Sequence, residues 1–459
     1  LYIHSHHSKN KHINTLQLLL LLLGVVLLLS ACGPSQKPSS SADSNAGSTT
    51  GPSTSHTSEQ GEHQAGTDTD ASSNGGANDQ DDQQNTVPPQ EEKDSLQAQL
   101  DQLSLDEKIG QMILAGVQGT TLDAQAKQMI TDQKVGGIIF YANNVSTLQG
   151  TAKFVQSIKD ANRSNPVPIF MSVDQEGGKV SRMPETVETI PSNRKVGKTK
   201  DADLAETMGE LLARQIKLVG FNVDFAPVLD VNSNPKNPVI GDRSFGSSAD
   251  LVSRMGIAEM KGLRSEGIIP VVKHFPGHGD TSVDSHLDLP VVNKTEKQLA
   301  QLEWIPFEDA VKEQVEAVMV AHILFPKLDP DHPASLSDVI IGQHLRGKFK
   351  YDGVVITDDL SMGAIAKNYK LDDAAVATVQ AGSDILLVAH SYESAKTIFD
   401  TLMSAVKSGK ISESRINESA YRILALKQKY NLSDEEQPSG NLKQLNADIL
   451  DWRKQADAR

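Results

Sequence analysis

The chain has 459 residues, 38% hydrophobic and 22% charged, low in both for a wholly globular protein, so part of it is expected to lack a packed core. Its formal net charge of −15 argues against a nucleic-acid partner, which would require a basic face. Its single cysteine, Cys32, excludes an intramolecular disulfide and a cysteine-based metal cluster.

The first distinctive element is the almost wholly apolar stretch Leu16–Leu29, preceded by Lys9 and Lys11. A run of about 14 residues falls short of the ~20 that a membrane span needs and fits a secretory signal. It ends in Leu29-Ser30-Ala31-Cys32, the pattern of a bacterial lipoprotein signal, in which the cysteine becomes the lipidated first residue. Residues 1–31 are therefore expected to be a signal peptide, Cys32 the lipidation site, and a membrane surface the partner of the acylated end, with the protein extracytoplasmic. An ordinary signal peptide with an incidental cysteine is the alternative. His4, His6, His7 and His12 would leave with the signal and form no metal site.

From Gly33 to Gln90 the chain is Ser, Gly, Thr, Asn, Gln, Asp and Pro, with eight acidic residues and one lysine, a local charge of −7. Such a segment buries too little surface to offset its ordering entropy. Residues 32–94 are expected to be a disordered tether lifting the following domain about 40 Å from a membrane.

Ordered sequence is predicted from Ser95. Apolar, strand-like runs at Ile109–Val117, Val135–Tyr141, Val167–Val173, Val223–Leu229, Ile268–Val272, Ala317–Ala321, Gly353–Thr357 and Asp384–Val388 alternate with amphipathic stretches. The latter include Ala202–Val219, Leu251–Ser265, Gln298–Glu313 and Ser394–Ser408, and Ile411–Tyr430 reads as a last helix. Eight buried strands separated by helices predict a single (β/α)8 barrel over residues 95–435. The glycine-rich phosphate turn expected after the first strand of a doubly wound sheet is missing. Residues 436–459 read as a polar tail with too little apolar content for a domain.

Polar residues collect where the predicted strands end. After the third comes Asp174-Gln175-Glu176-Gly177-Gly178-Lys179-Val180-Ser181-Arg182. Downstream of the fourth come Asp230 and Gly241-Asp242-Arg243-Ser244-Phe245-Gly246. The fifth runs into Lys273-His274-Phe275-Pro276-Gly277-His278-Gly279-Asp280, followed by Thr281-Ser282-Val283-Asp284-Ser285-His286; the sixth gives His322 and the seventh Asp358-Asp359. In a barrel these ends surround one mouth, so distant residues converge on one pocket.

Asp358 leaves a buried strand directly into that mouth and could act as a nucleophile toward an anomeric carbon, or merely cap the next helix. Asp284 and His286, one residue apart, place both side chains on one side of extended backbone. Such a pair fixes the imidazole tautomer and raises its basicity, suiting it to acid–base work near neutral pH. Asp174, Arg182, Arg243, Lys273 and His274 read as donors and acceptors for a polyhydroxylated ligand, each with a structural alternative. His274, His278, Asp280 and His286 match no common zinc spacing, so neither a metal nor a cofactor is expected.

Over residues 95–435 the chain resembles bacterial β-N-acetylglucosaminidases of glycoside hydrolase family 3, the NagZ type. The likeness rests on Val173-Asp174-Gln175-Glu176-Gly177-Gly178, Gly241-Asp242-Arg243-Ser244-Phe245, the lysine–histidine motif with Asp284-Ser285-His286, and Thr357-Asp358-Asp359-Leu360-Ser361-Met362. The resemblance implies a barrel that removes terminal β-linked N-acetylglucosamine from peptidoglycan fragments with retention, through a glycosyl-aspartate. It assigns the nucleophile to Asp358, the acid/base to His286 with Asp284 as its partner, and sugar binding to Asp174, Arg182, Arg243, Lys273 and His274. Some members of the family carry a second α/β domain after the barrel; here the barrel is expected to hold the whole site, with the 274–290 loop free to close over it.

A histidine acid/base departs from the paired carboxylates usual in retaining enzymes. A neutral imidazole does not repel an incoming anion, which leaves phosphorolysis open beside hydrolysis. β-Glucosidase or β-xylosidase activity and a non-catalytic wall-binding lipoprotein are the other readings. The Asp-x-His pair weighs against the former, and the presence of Asp358, Asp284 and His286 together against the latter.

Overall fold

The computed structural model describes residues 90–437 and 440–459. The expected signal peptide, Cys32 and the expected tether before Gln90 lie outside the described residues.

Eight parallel strands close into a barrel: β1 (Ile113–Gly116), β2 (Gly137–Phe140), β3 (Phe170–Val173), β4 (Val223–Asp224), β5 (Ile269–Phe275), β6 (Ala317–Val320), β9 (Val354–Thr357) and β10 (Leu386–Val388). Neighbours follow chain order, β10 returns to β1 through Ile113↔Leu386, and a bridge between Ile356 and Ile385 shuts the seam. A short antiparallel hairpin, β7 (Leu324–Phe325) with β8 (Asp329–Pro333), stands after β6. Every residue of the eight barrel strands is buried, because one face fills the barrel and the other packs on helices. This is why the strands read as unbroken apolar runs. Among the described residues no helix is long and apolar enough to cross a membrane.

The boundaries differ from the sequence reading in four instructive places. Ser104 and Glu107 form a capping box, so Ile109–Gln111 complete a helix (Leu105–Gln111) before β1 begins. The run 223–229 keeps only two ladder residues, since Pro227 has no N–H to give; pairing resumes at the Val228↔Lys273 bridge. The stretch 298–313 is two helices, Glu296–Ala300 and Ile305–Lys312, the second opening on Pro306.

The fourth difference lies at the ends of the domain. A helix already starts at Gln90, within the expected tether. The expected polar tail contains the helix Leu442–Asp457, which buries Leu445, Ile449, Trp452 and Ala456 as one narrow stripe. It packs on the helix Ala202–Lys217, where Trp452 Nε1 donates to Leu204 O at 3.1 Å and Arg214 pairs with Asp448 at 2.6 Å. A four-residue stripe is enough to dock a helix on an existing barrel, though it could not form a core of its own.

The floor of the barrel is closed by Lys427, from the helix Glu413–Lys429. Its buried Nζ donates to Gln111 Oε1 (2.6 Å), Gly136 O (2.8 Å) and Pro168 O (2.7 Å), which precede β1, β2 and β3. It also stands 4.3 Å from the centroid of the Phe170 ring. Burial pushes its pKa down to about 7, and the three acceptors and the ring are what make an ammonium tolerable there. Lys427→Met is expected to strand these acceptors and lower unfolding free energy by about 2–4 kcal/mol. Denaturant midpoints check this; specific activity of the folded fraction is expected to stay unchanged.

Candidate active site

The mouth is assembled at the carboxyl ends of the strands around a buried ammonium. Lys273, 1% exposed near the end of β5, reaches Asp174 Oδ1 at 2.5 Å and Glu176 Oε1 at 2.7 Å. Glu176 is held from its other side by the Arg243 fork, Nε to Oε2 at 2.8 Å and Nη2 to Oε1 at 2.6 Å. Burial raises the Glu176 carboxyl pKa, but the charges and hydrogen bonds of Arg243 and Lys273 overcome this and hold it far below the usual range. Burial likewise lowers Lys273, and Asp174 and Glu176 more than reverse it.

A second cluster centres on Asp230, which is fully buried. Its Oδ2 faces His274 Nδ1 at 2.6 Å, and its Oδ1 accepts the His278 backbone N–H at 2.6 Å. Arg243 Nη2 stands 3.4 Å from His274 Nε2, joining the two clusters. The loop after β3 is folded back by Gln175, whose N–H donates to Asp224 Oδ1 at 2.9 Å and whose Oε1 accepts the Arg182 N–H at 2.7 Å. Arg182 Nε is buried with no partner among the described residues.

Asp358 follows β9, half-buried, its N–H donating to Val320 O at 2.9 Å and its Oδ1 accepting Asp359 N–H at 2.9 Å. Burial raises its pKa, and the histidines 322, 274 and 286 with the Asp359 N–H outweigh that, leaving it lowered. It is therefore a carboxylate at neutral pH. Asp359 turns away: its Oδ1 accepts Ser361 and Ala389 N–H groups, which ties the β9 loop to the end of β10. Beneath them His322 bridges Ser335 Oγ (2.7 Å) and Asp359 O (3.0 Å). Tyr141, at the end of β2, has its hydroxyl pKa raised well above normal by burial and then by Asp359, Asp174 and Asp358, marking how closely these carboxylates gather.

The Asp284–His286 pair is formed. One oxygen of Asp284, Oδ1, meets both the His286 N–H (2.9 Å) and Nδ1 (2.7 Å). With Nδ1 donating there, Nε2 is left to exchange a proton with a substrate. The pair rides on an exposed loop; the His286 side chain is 63% exposed. Two backbone bonds of 3.1 Å, Gly363 N to His286 O and Ala364 N to Ser285 O, seat that loop on the chain just beyond Asp358. Its first half is fixed by His278, which bonds Thr281 Oγ1 (2.8 Å) and Ser285 Oγ (3.0 Å). Burial and the neighbouring His274 push His278 down to about 4, so it is a neutral, structural imidazole.

All eight side chains expected at the site thus lie at the mouth or on the loop over it. Sequence reasoning gave no role to Glu176, although it stands two residues after Asp174 in the same motif. It also left out the orienting role of Asp230, which was visible as a carboxylate closing an apolar run.

The Glycosyl hydrolase family 3 N terminal domain model matches residues 104–426. The chain belongs to glycosyl hydrolase family 3. Within the family it is 37% identical over 269 residues to the Beta-hexosaminidase LpqI of Mycobacterium tuberculosis, covering 57% of this chain and 69% of that protein. It is 35% identical over 310 residues to Beta-hexosaminidase A of Pseudoalteromonas piscicida, covering 61% of this chain and 52% of that longer protein. Among solved structures, a family 3 beta-N-acetylglucosaminidase from Paenibacillus sp. str. FPU-7 superposes with a TM-score of 0.74 at 41% identity. That match covers 77% of this chain and 69% of the other. The closed barrel and the charged mouth are therefore a family 3 glycoside hydrolase domain.

Because Glu176 keeps Lys273 and Arg243 compensated, Glu176→Ala is expected to leave two buried cations facing each other. A loss of about 3–5 kcal/mol in unfolding free energy is expected, with turnover falling at least as far as a misplaced positioning group would cause, about hundredfold. Chemical denaturation and initial rates on any glycoside the enzyme accepts test both.

Proposed function

We propose that this family 3 domain is a retaining exo-β-N-acetylglucosaminidase that releases terminal β-linked N-acetylglucosamine from peptidoglycan fragments. The observation that carries the reading is the seating of the Asp284–His286 pair directly on the segment that follows Asp358, above a mouth lined by Asp174, Lys273, Arg243 and His274. The hexosaminidase names of its relatives support the substrate class.

In this reading the Asp358 carboxylate attacks the anomeric carbon as the glycosidic C–O bond breaks. His286 gives its Nε2 proton to the departing oxygen, leaving a glycosyl-aspartate ester. The imidazole, now neutral, takes a proton from water as that water attacks the same carbon. Asp358 is thereby released as a carboxylate and His286 is protonated again. Asp284 holds the imidazole's orientation through Nδ1 during both transfers. Asp174, Lys273, Arg243 and His274 bind hydroxyls of the sugar, while Arg182 supplies a further donor.

Release of the aryl group from an aryl β-N-acetylglucosaminide but not from an aryl β-glucoside is the expected specificity; the reverse preference would overturn the substrate assignment. Asp358→Ala is expected to abolish turnover without unfolding the barrel. His286→Ala should slow substrates with poor leaving groups by about a hundredfold or more, and activated aryl glycosides much less. Equal losses on both would remove His286 from the acid role. Product analysis with phosphate present separates hydrolysis from phosphorolysis, free N-acetylglucosamine being the expected product.

We further propose that the protein acts outside the cell membrane, anchored through an acylated Cys32. This rests on the apolar run Leu16–Leu29 ending in Leu29-Ser30-Ala31-Cys32. Two or three acyl chains, at about 0.8 kcal/mol per buried methylene, would hold it firmly. Cys32→Ala is expected to move the activity from the membrane fraction to the soluble one.

A further inference from the structure

The loop that carries His286 leaves the barrel after Phe275 and returns to a helix at Glu296, and its two stems meet. Asp280 stands on the outgoing stem and Lys294 on the returning one. Lys294 Nζ lies 3.0 Å from Asp280 Oδ2 and makes a second, closer ion pair with Glu303 Oε1. Glu303, in the turn before the helix Ile305–Lys312, has a side chain only 1% exposed, and its Oε2 is buried without a partner among the described residues. The outgoing stem also packs directly on it: a Cβ at Gly277 would stand 2.7 Å from Glu303 Cβ.

Beyond this junction the polypeptide is far less covered. Val283, Leu287 and Val291 are 39%, 66% and 47% exposed, three of the four large apolar side chains most open to solvent among the described residues. The distal arm touches the barrel through Ser285 and His286, whose carbonyls accept the Ala364 and Gly363 N–H groups, while its base is held by a largely buried three-charge cluster.

We propose that Lys294 is a positioning residue for the acid/base pair: by clasping Asp280 to the buried Glu303 carboxylate it fixes both stems, so that His286 moves over the sugar on a short anchored arc. The inference rests on the acid/base reading of His286 given above. Fixing the ends of a flexible segment removes most of its conformations, so the clasped loop spends more of its time within reach of the glycosidic oxygen. The largely buried ammonium suits the task, because one point charge serves two carboxylates on separate segments. Burial lowers its pKa, and Glu303 and Asp280 more than restore it, so the clasp stays charged at neutral pH.

Asp280→Asn isolates the effect, because it cuts the link to the loop stem while leaving Glu303 paired with Lys294. In Asp280→Asn and Lys294→Met we expect kcat on a disaccharide with an unactivated leaving group to fall about tenfold, less than removal of the acid itself. Turnover of a nitrophenyl β-N-acetylglucosaminide should change by less than about twofold, and Lys294→Arg should restore most of the loss. In a His286→Ala background Asp280→Asn should add nothing further. Equal losses of Asp280→Asn on both substrates, or a further loss in the His286→Ala background, would overturn the clasp. If His286→Ala alone shows no leaving-group dependence, the acid/base reading falls first and takes the clasp with it.

Discussion

The ammonium of Lys273 is the charge on which the mouth depends. A lysine this deeply buried is tolerable only if carboxylates replace its water, and Asp174 and Glu176 do so from the β3 loop. Glu176 then needs more than one cation and takes the Arg243 fork as well, which draws in the loop after β4. Arg243 meets His274, and His274 meets Asp230. Lys273, Glu176 and Arg243 compensate one another's buried charges, and Asp230 orients His274 beside them. On the proposed reading, the donors and acceptors that face a sugar are therefore fixed before it arrives, so little reorganisation is left for the reaction itself.

Against this rigid floor the loop is built differently. Asp358 belongs to the barrel: its backbone continues the pairing of β9 onto β6, and its carboxylate accepts the Asp359 N–H. Asp284 and His286 stand on a segment whose first half is fixed by His278 and whose second half is exposed. The packing at Gly279 fixes the outgoing stem of the loop. A Cβ there would lie 1.8 Å from Val231 O, so backbone runs against backbone and the loop is immobile at that point. In the proposed mechanism the nucleophile gains from fixed geometry, while the acid, which must admit and release a whole sugar, needs room to move.

How much of this was legible in the sequence follows from how local each interaction is. Parallel strands buried on both faces have no polar alternation, so β1 to β6, β9 and β10 stood out as apolar runs, and their number implied the barrel. The errors came where one residue overrides a run, as Pro227 does in β4 and Pro306 in the helices after β5. The helix Leu442–Asp457 escaped because its four buried residues make too thin a stripe to read as a core. In the site, Asp284 and His286 were readable as a pair because they are two residues apart. The Glu176–Arg243 pair spans 67 positions and the Asp230–His274 pair 44; neither leaves a local trace, since only the closed barrel brings them together.

The two histidines nearest the chemistry solve the same problem in opposite ways. His274 is oriented by Asp230, a carboxylate from a different strand end that is buried and immovable. That arrangement works because His274 itself stays in place. His286 takes its carboxylate from two residues earlier, so the partner travels with it. Whatever position the loop adopts, Nδ1 keeps its acceptor, and in the proposed mechanism Nε2 remains the nitrogen that gives or takes the proton. Had the partner been fixed on the barrel, every excursion of the loop would have broken the bond and scrambled the tautomer. For the proposed acid/base role, a local Asp-x-His pair is the arrangement that lets the imidazole move and keep its orientation.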